Sequence, residues 1–258
     1  MFIALFALIG LACFSPSSDP TATPELPPVE EPTQEVVIEQ QPTPTNTVMA
    51  EVVEPTEDPE PPMEDISDES PAFYTEEFKG DLEGYSYYLE RGDESTMDFY
   101  LENGRLNVDL ESEDQYLYFF YEEYTYSSVL VEINAENRGS NSNAISLVCN
   151  YSDKYGWYEF VIQNDGMYTI WANSFLDDGF DLLQSGGSEN IKTGRASNTY
   201  SAVCDGNHLV LYINGVYENE VTDNKYNLKD GLVGFSISSF DAIPVIVEVE
   251  SFTIAEPY

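Results

Sequence analysis

The stretch Ser128-Val129-Leu130-Val131-Glu132-Ile133-Asn134-Ala135-Glu136 decides the fold class. It places Val129, Val131, Ile133 and Ala135 on one face and Glu132, Asn134 and Glu136 on the other, the period of two expected of a half-buried strand. The same period recurs on both sides. Tyr158-Glu159-Phe160-Val161-Ile162 and Met167-Tyr168-Thr169-Ile170-Trp171 read as strands joined through Asn164-Asp165-Gly166. Asn207-His208-Leu209-Val210-Leu211-Tyr212-Ile213 runs into Asn214-Gly215, a two-residue hairpin signal, and Asp205-Gly206 is another. Gly231–Ile237 and Val245–Ile254 supply the last strands. No stretch holds a helical period, and many short strands between turn signals predict an all-β sandwich.

Composition divides the 258 residues sharply. Thirteen of the fifteen prolines lie between Pro16 and Pro71, together with fifteen acidic residues and no basic one. Such a segment buries too little apolar surface to offset chain entropy, so residues 14–72 are expected to form a disordered acidic stalk. It would span about 45 Å as a flexible coil and about 180 Å as polyproline II. From Phe73 onward Tyr, Phe, Val, Ile and Leu become frequent, and residues 73–258 suffice for one buried core. The net charge is −39, and that second part carries thirty-three acidic against nine basic residues. A field of this sign repels nucleic acid and anionic headgroups, and it marks a solvated acidic surface.

The apolar run Phe2–Ala12 ends at Cys13, and Ile9-Gly10-Leu11-Ala12-Cys13 resembles a lipobox. The resemblance implies a signal segment over residues 1–13, Cys13 as the acylated first mature residue, and a lipid anchor on the extracellular face of a bacterial membrane, with simple secretion as the alternative. The run is shorter than the roughly 20 residues of a spanning helix, and it lacks the basic start of an ordinary secretory signal. Cys149 and Cys204 remain, both in strand-like runs. In an oxidising compartment they predict a disulfide between adjacent strands.

The order of motifs from Cys149 and Tyr151 through Tyr155-Gly156-Trp157-Tyr158-Glu159-Phe160, Asn198–Cys204, Gly206–Gly215 and Gly231-Leu232-Val233-Gly234-Phe235 resembles the concanavalin A-like lectin/glucanase superfamily, in particular its laminin G-like and 3-keto-disaccharide hydrolase-like jelly rolls. This implies a concanavalin A-like β-sandwich over residues 73–258 and says little about function, which is grafted onto such folds site by site.

Three sets of residues are candidates for chemistry. Glucanases of the superfamily carry Glu-x-Asp-x-Glu on one strand, and Glu132-Ile133-Asn134-Ala135-Glu136 approaches that pattern. Asn134 replaces the central Asp, which favours solvated strand glutamates over a catalytic pair Glu132 and Glu136. Asp177, Asp178 and Asp181 offer hard oxygen ligands at loop spacing, as calcium would require, or form a plain acidic turn. A metal cofactor is otherwise not expected. Tyr155, Trp157 and Trp171 are the candidate ligand-binding rings, Tyr155 and Trp157 being expected to face the same way. The leading function is a binding module for extracellular glycan, or for a surface protein. The alternatives are a glycoside-processing enzyme and a purely structural adhesion protein.

Overall fold

The computed structural model describes residues 72–176 and 179–257. Cys13, the acidic Pro-rich stretch, Asp177 and Asp178 lie outside the described residues. Among the described residues the chain forms strands β1 (Tyr74–Glu76), β2 (Tyr85–Arg91), β3 (Met97–Glu102), β4 (Arg105–Leu110), β5 (Tyr116–Tyr126), β6 (Ser128–Asn137), β7 (Asn143–Ser152) and β8 (Gly156–Gln163). These are followed by β9 (Met167–Ser174), β10 (Gly179–Gly187), β11 (Ser197–Asp205), β12 (His208–Ile213), β13 (Val216–Thr222), β14 (Gly231–Ser239) and β15 (Val245–Ala255). A single 3-10 turn, Glu94–Thr96, is the one helical element among them.

The strands form two antiparallel sheets. One has the order β13-β12-β11-β6-β15-β4-β3, with β1 also on β15, and the other has the order β10-β9-β8-β7-β14-β5-β2. Consecutive strands are joined by hairpins within a sheet, as in β7–β10 and β11–β13, or by crossings between sheets, as in β4–β7, the arrangement of a jelly roll. The alternation read in β6 is kept: Val129, Val131, Ile133 and Ala135 are buried, whereas Glu132, Asn134 and Glu136 line the outer face. Hairpin β12–β13 turns at Asn214 (φ 51°) and Gly215 (φ 77°), the left-handed pair that the Asn-Gly signal requires.

Inward side chains of both sheets meet in one core. Phe119 on β5 stacks on Phe235 of β14 at 5.0 Å, and Phe235 meets Phe252 of β15, on the opposite sheet, at 5.1 Å between ring centroids. Cys149 and Cys204 form the expected disulfide, with Cα atoms 6.6 Å apart. Its partners are not adjacent strands, however. Cys149 sits on β7 and Cys204 on β11, so the bridge pins the two sheets together through the core. A pairing order built from contacts far apart in sequence cannot be read from the two local strand patterns.

The bridge closes a loop across a sequence separation of 55 residues. Replacing both cysteines by alanine is expected to lower unfolding free energy by about 4 kcal/mol in the chain-entropy account, measured by urea titration against the oxidised wild type.

Candidate functional site: a groove on the seven-stranded sheet

One face of the seven-stranded sheet packs on the core, so the residues in alternate register look away from it. Over part of the neighbouring strands β7 and β14 these outward residues are small: Ala144 and Ser146 on β7, and Gly234, Ser236 and Ser238 on β14, whereas Val148 and Leu232 join an outer apolar cluster. A Cβ at Gly234 would stand 2.1 Å from the Phe119 carbonyl oxygen, so this position admits glycine alone. The flanking strands carry Tyr116 and Tyr118 on β5, Trp157 and Glu159 on β8, and Thr169, Trp171 and Asn173 on β9. Small residues between large ones make a trough of about 570 Å³, lined from Glu90 on β2 to Phe180 on β10. Seven strands at the usual spacing set the sheet's width at about 29 Å.

Register places Glu159 opposite Trp171 and Trp157 opposite Asn173. Glu159 is only 7% exposed, yet it belongs to the outer face. Its carboxylate accepts from Trp157 Nε1 at 3.2 Å, Asn173 Nδ2 at 3.2 Å, the Tyr118 hydroxyl at 3.3 Å and Ser236 Oγ at 3.4 Å. None of these donors is a cation. Burial therefore pushes the carboxyl above the usual carboxylate range, despite the hydrogen bonds from Trp157 and Tyr118, and the nearby Glu90 charge adds to the rise. Glu90 is itself raised by burial, offset in part by the Tyr118 hydroxyl. Arg91, at the rim, is paired with Asp114 at 3.1 Å.

The three candidate rings do not converge. Trp157 is 5% exposed and forms the centre of a second, outer cluster with Tyr118, Phe120 and Val148. Phe175 meets its ring edge-on at 5.4 Å and Phe180 at 6.4 Å. Tyr155 is 44% exposed, with Lys154 Nζ 4.6 Å from its ring centroid, and it opens onto a separate depression bordered by Asn150 and Tyr226. The expectation that Tyr155 and Trp157 share a face fails because Tyr155 precedes the strand and Gly156, at φ 111°, redirects the chain between them. Trp171 alone of the three lines the groove, partly exposed, its indole N–H donated to Thr169 Oγ1 at 2.8 Å.

The other candidates sit elsewhere. Glu132 and Glu136 occupy the outer face of the opposite sheet. Glu132 accepts from Ser201 Oγ at 2.7 Å, while Glu136 pairs with Arg138 at 2.8 Å and Arg105 at 3.9 Å. Neither glutamate lines the groove of the seven-stranded sheet. Asp181 pairs with Lys225 at 2.7 Å. Among the described residues no group of three acidic, histidine or cysteine side chains is arranged to hold a metal ion. Sequence reading missed Glu159, Asn173 and Thr169. The available sign was a single charged residue within the apolar run Trp157-Tyr158-Glu159-Phe160-Val161-Ile162.

No known family matches this sequence, and no curated protein matches it. Solved structures do resemble the fold. A protein of unknown function with a galectin-like fold from Bacillus subtilis superposes with a TM-score of 0.56 at 12% identity, covering 72% of this chain and 96% of the other. A prokaryotic β-1,3-1,4-glucanase (lichenase) from a mouse hindgut metagenome gives 0.55 at 9% identity, covering 72% and 100%. The laminarinase catalytic domain of Thermotoga maritima gives 0.54 at 11% identity, covering 72% and 97%. At these identities the likeness is one of fold, and the fold is the concanavalin A-like jelly roll.

Two outcomes follow for stability. Trp157→Ala removes a packed ring and is expected to cost about 3–5 kcal/mol in urea unfolding, as a core substitution would. Glu159 binds its proton more tightly folded than unfolded. Its contribution is complete below the ordinary carboxylate value of 4.5 and is lost as pH rises through the higher folded value. The stability of wild type relative to Glu159→Gln is therefore expected to fall as pH rises above 4.5; a rise instead would contradict the burial account.

Proposed function

We propose that this protein is a glycan-binding module that seats its ligand in the groove of the seven-stranded sheet. The observation that carries the reading is the composition of that groove: flat rings at its sides and hydrogen-bonding groups along its floor. Sugar rings present apolar faces and polar edges. Trp171 and Phe180 offer surfaces for the faces. Thr169, Gln163, Ser238 and Asn173 offer donors and acceptors for the hydroxyls. Phe180, 63% exposed, is a ring that the core does not use. The jelly-roll fold, shared with a lichenase and a laminarinase, agrees with this reading at the level of architecture only.

Binding is preferred to catalysis because the groove's most buried carboxyl, Glu159, is engaged by four neighbouring donors. A general acid must instead point its proton at a leaving oxygen. With Cys13 as the acyl site, residues 14–72 would hold the module away from the membrane surface, suiting it to extracellular polysaccharide.

A glycan array probed with the full chain tests the reading. Trp171→Ala is expected to weaken binding to the retained glycans roughly tenfold, equivalent to about 1.4 kcal/mol, with little change in melting temperature because the ring is already partly solvated. Equal affinity in wild type and variant, or no glycan retained, would contradict it.

A further inference from the structure

The groove lining holds a buried acceptor without a partner, and the following inference rests on the groove being a glycan site. Asn173 is 2% exposed, and its Nδ2 is spent on Glu159. Its Oδ1 is buried with no hydrogen-bond partner, although the residue lines the groove. An unsatisfied buried acceptor of this kind costs stability, and a ligand N–H or O–H would remove the cost. The Glu159 carboxyl, already accepting from four donors, adds negative charge beside it, and Glu90 adds a second carboxyl at the β2 edge of the groove.

Charge points the same way. Glu90 and Glu159 lie against one Tyr118 hydroxyl. The one basic residue lining the groove, Arg91, is held by Asp114. Two carboxyl groups therefore share a partly dehydrated trough without an internal counter-ion. Rings surround them: Tyr118 meets Trp157 at 6.1 Å between centroids, and Tyr116 and Trp171 line the same space. Carboxylate together with electron-rich ring faces is the combination that recognises an ammonium group. The net charge of −39 adds a long-range field that concentrates cations near the surface.

We propose that the groove selects an amino sugar, a glycan whose unacetylated hexosamine places its ammonium group between Glu159, Glu90 and the Asn173 Oδ1. The ammonium brings a donor for the unpartnered Asn173 Oδ1 and a positive charge beside two carboxyl groups. A neutral hexose brings hydroxyls but leaves the carboxyl groups without a counter-ion. An N-acetylated sugar brings one amide donor and no charge. The flat walls and the hydroxyl and amide groups of Thr169, Gln163 and Ser238 suit a sugar ring better than the narrow stem of a lysine side chain.

Proton linkage provides a second readout. Burial holds the Glu159 carboxyl above the usual range, so it keeps its proton to higher pH than an exposed carboxyl does. An ammonium beside it favours the ionised form and drives that proton off. The other groups facing Glu159 are Tyr118 and Tyr116 from β5, and Glu90 and Arg91 from β2. β7, β9 and β14 present only uncharged side chains to this part of the groove.

The test is calorimetric titration of the full chain with three tetramers: of glucosamine, of N-acetylglucosamine and of glucose. It is run where the amine is protonated and repeated in two buffers of different ionisation enthalpy. The glucosamine tetramer is expected to bind at least tenfold more tightly than the other two and to release protons on binding. Glu159→Gln is expected to reduce affinity for the glucosamine tetramer at least tenfold more than for the glucose tetramer. Glu90→Gln, at the exposed edge, is expected to reduce the same preference by a smaller factor. Equal affinity for all three tetramers, binding without proton release, or a preference that survives Glu159→Gln would overturn the amino-sugar assignment. The groove reading would survive those results provided that Trp171→Ala still weakens the tetramers that bind. Absence of binding by any tetramer, or tighter binding of a lysine oligomer than of the glucosamine tetramer, would overturn both.

Discussion

The structure depends on one constraint: each strand of the seven-stranded sheet can turn only one face toward the core between the sheets. Phe119, Phe235 and Phe252 meet across the sheets, and the Cys149–Cys204 bridge joins β7 to β11 through the same layer. The inward register is therefore committed to Tyr158, Phe160 and Ile162 on β8 and to Ile170 and Ala172 on β9. A shift of one residue would send this set to solvent, so the register is fixed. The outward register is thereby fixed as well, and it is free of the packing demands of the core.

The proposed site is built from that freedom. Residue size varies across the outward face from large to small to large, and this variation alone makes a trough in an otherwise flat sheet. The trough's polarity comes from Glu159, which is dehydrated by the rings around it yet supplied with hydrogen bonds from β5, β9, β14 and its own strand. Trp157 belongs to this support. It is a ring spent on holding the floor rather than on contacting ligand, whereas Trp171, two strand positions away on the neighbouring strand, faces the open space. The opposite sheet shows the contrast. Its outward glutamates, Glu132 and Glu136, are matched by Ser201, Arg138 and Arg105.

Local pattern made part of this legible in the sequence. The faces of β6 followed from alternation, and the Asn214-Gly215 turn followed from its chemistry. The pairing of β8 with β9 was implied by Asn164-Asp165-Gly166. The groove was not legible, because it depends on the order β9-β8-β7-β14-β5, in which Tyr118 approaches Glu159 across a separation of 41 residues. The disulfide shows the same division. The two cysteines announced a bridge, but only the strand order reveals that it joins the sheets rather than neighbours within one. Tyr155 looked like a partner of Trp157 by spacing, and one glycine with positive φ separated them.

The central claim is that the outer face of the seven-stranded sheet, and not another surface, receives the ligand. The sequence contains two tryptophans, so an isotope-labelled sample gives two indole N–H signals, from Trp157 and Trp171. Nuclear magnetic resonance titration with an oligosaccharide that binds reads the location directly. The account predicts saturable movement of the Trp171 indole signal together with the backbone amides of Thr169, Asn173 and Phe180, while amides around Glu132 and Glu136 stay still. Saturable movement confined to the Tyr155 depression or to the face bearing Glu132 and Glu136, with Trp171 unmoved, would contradict it.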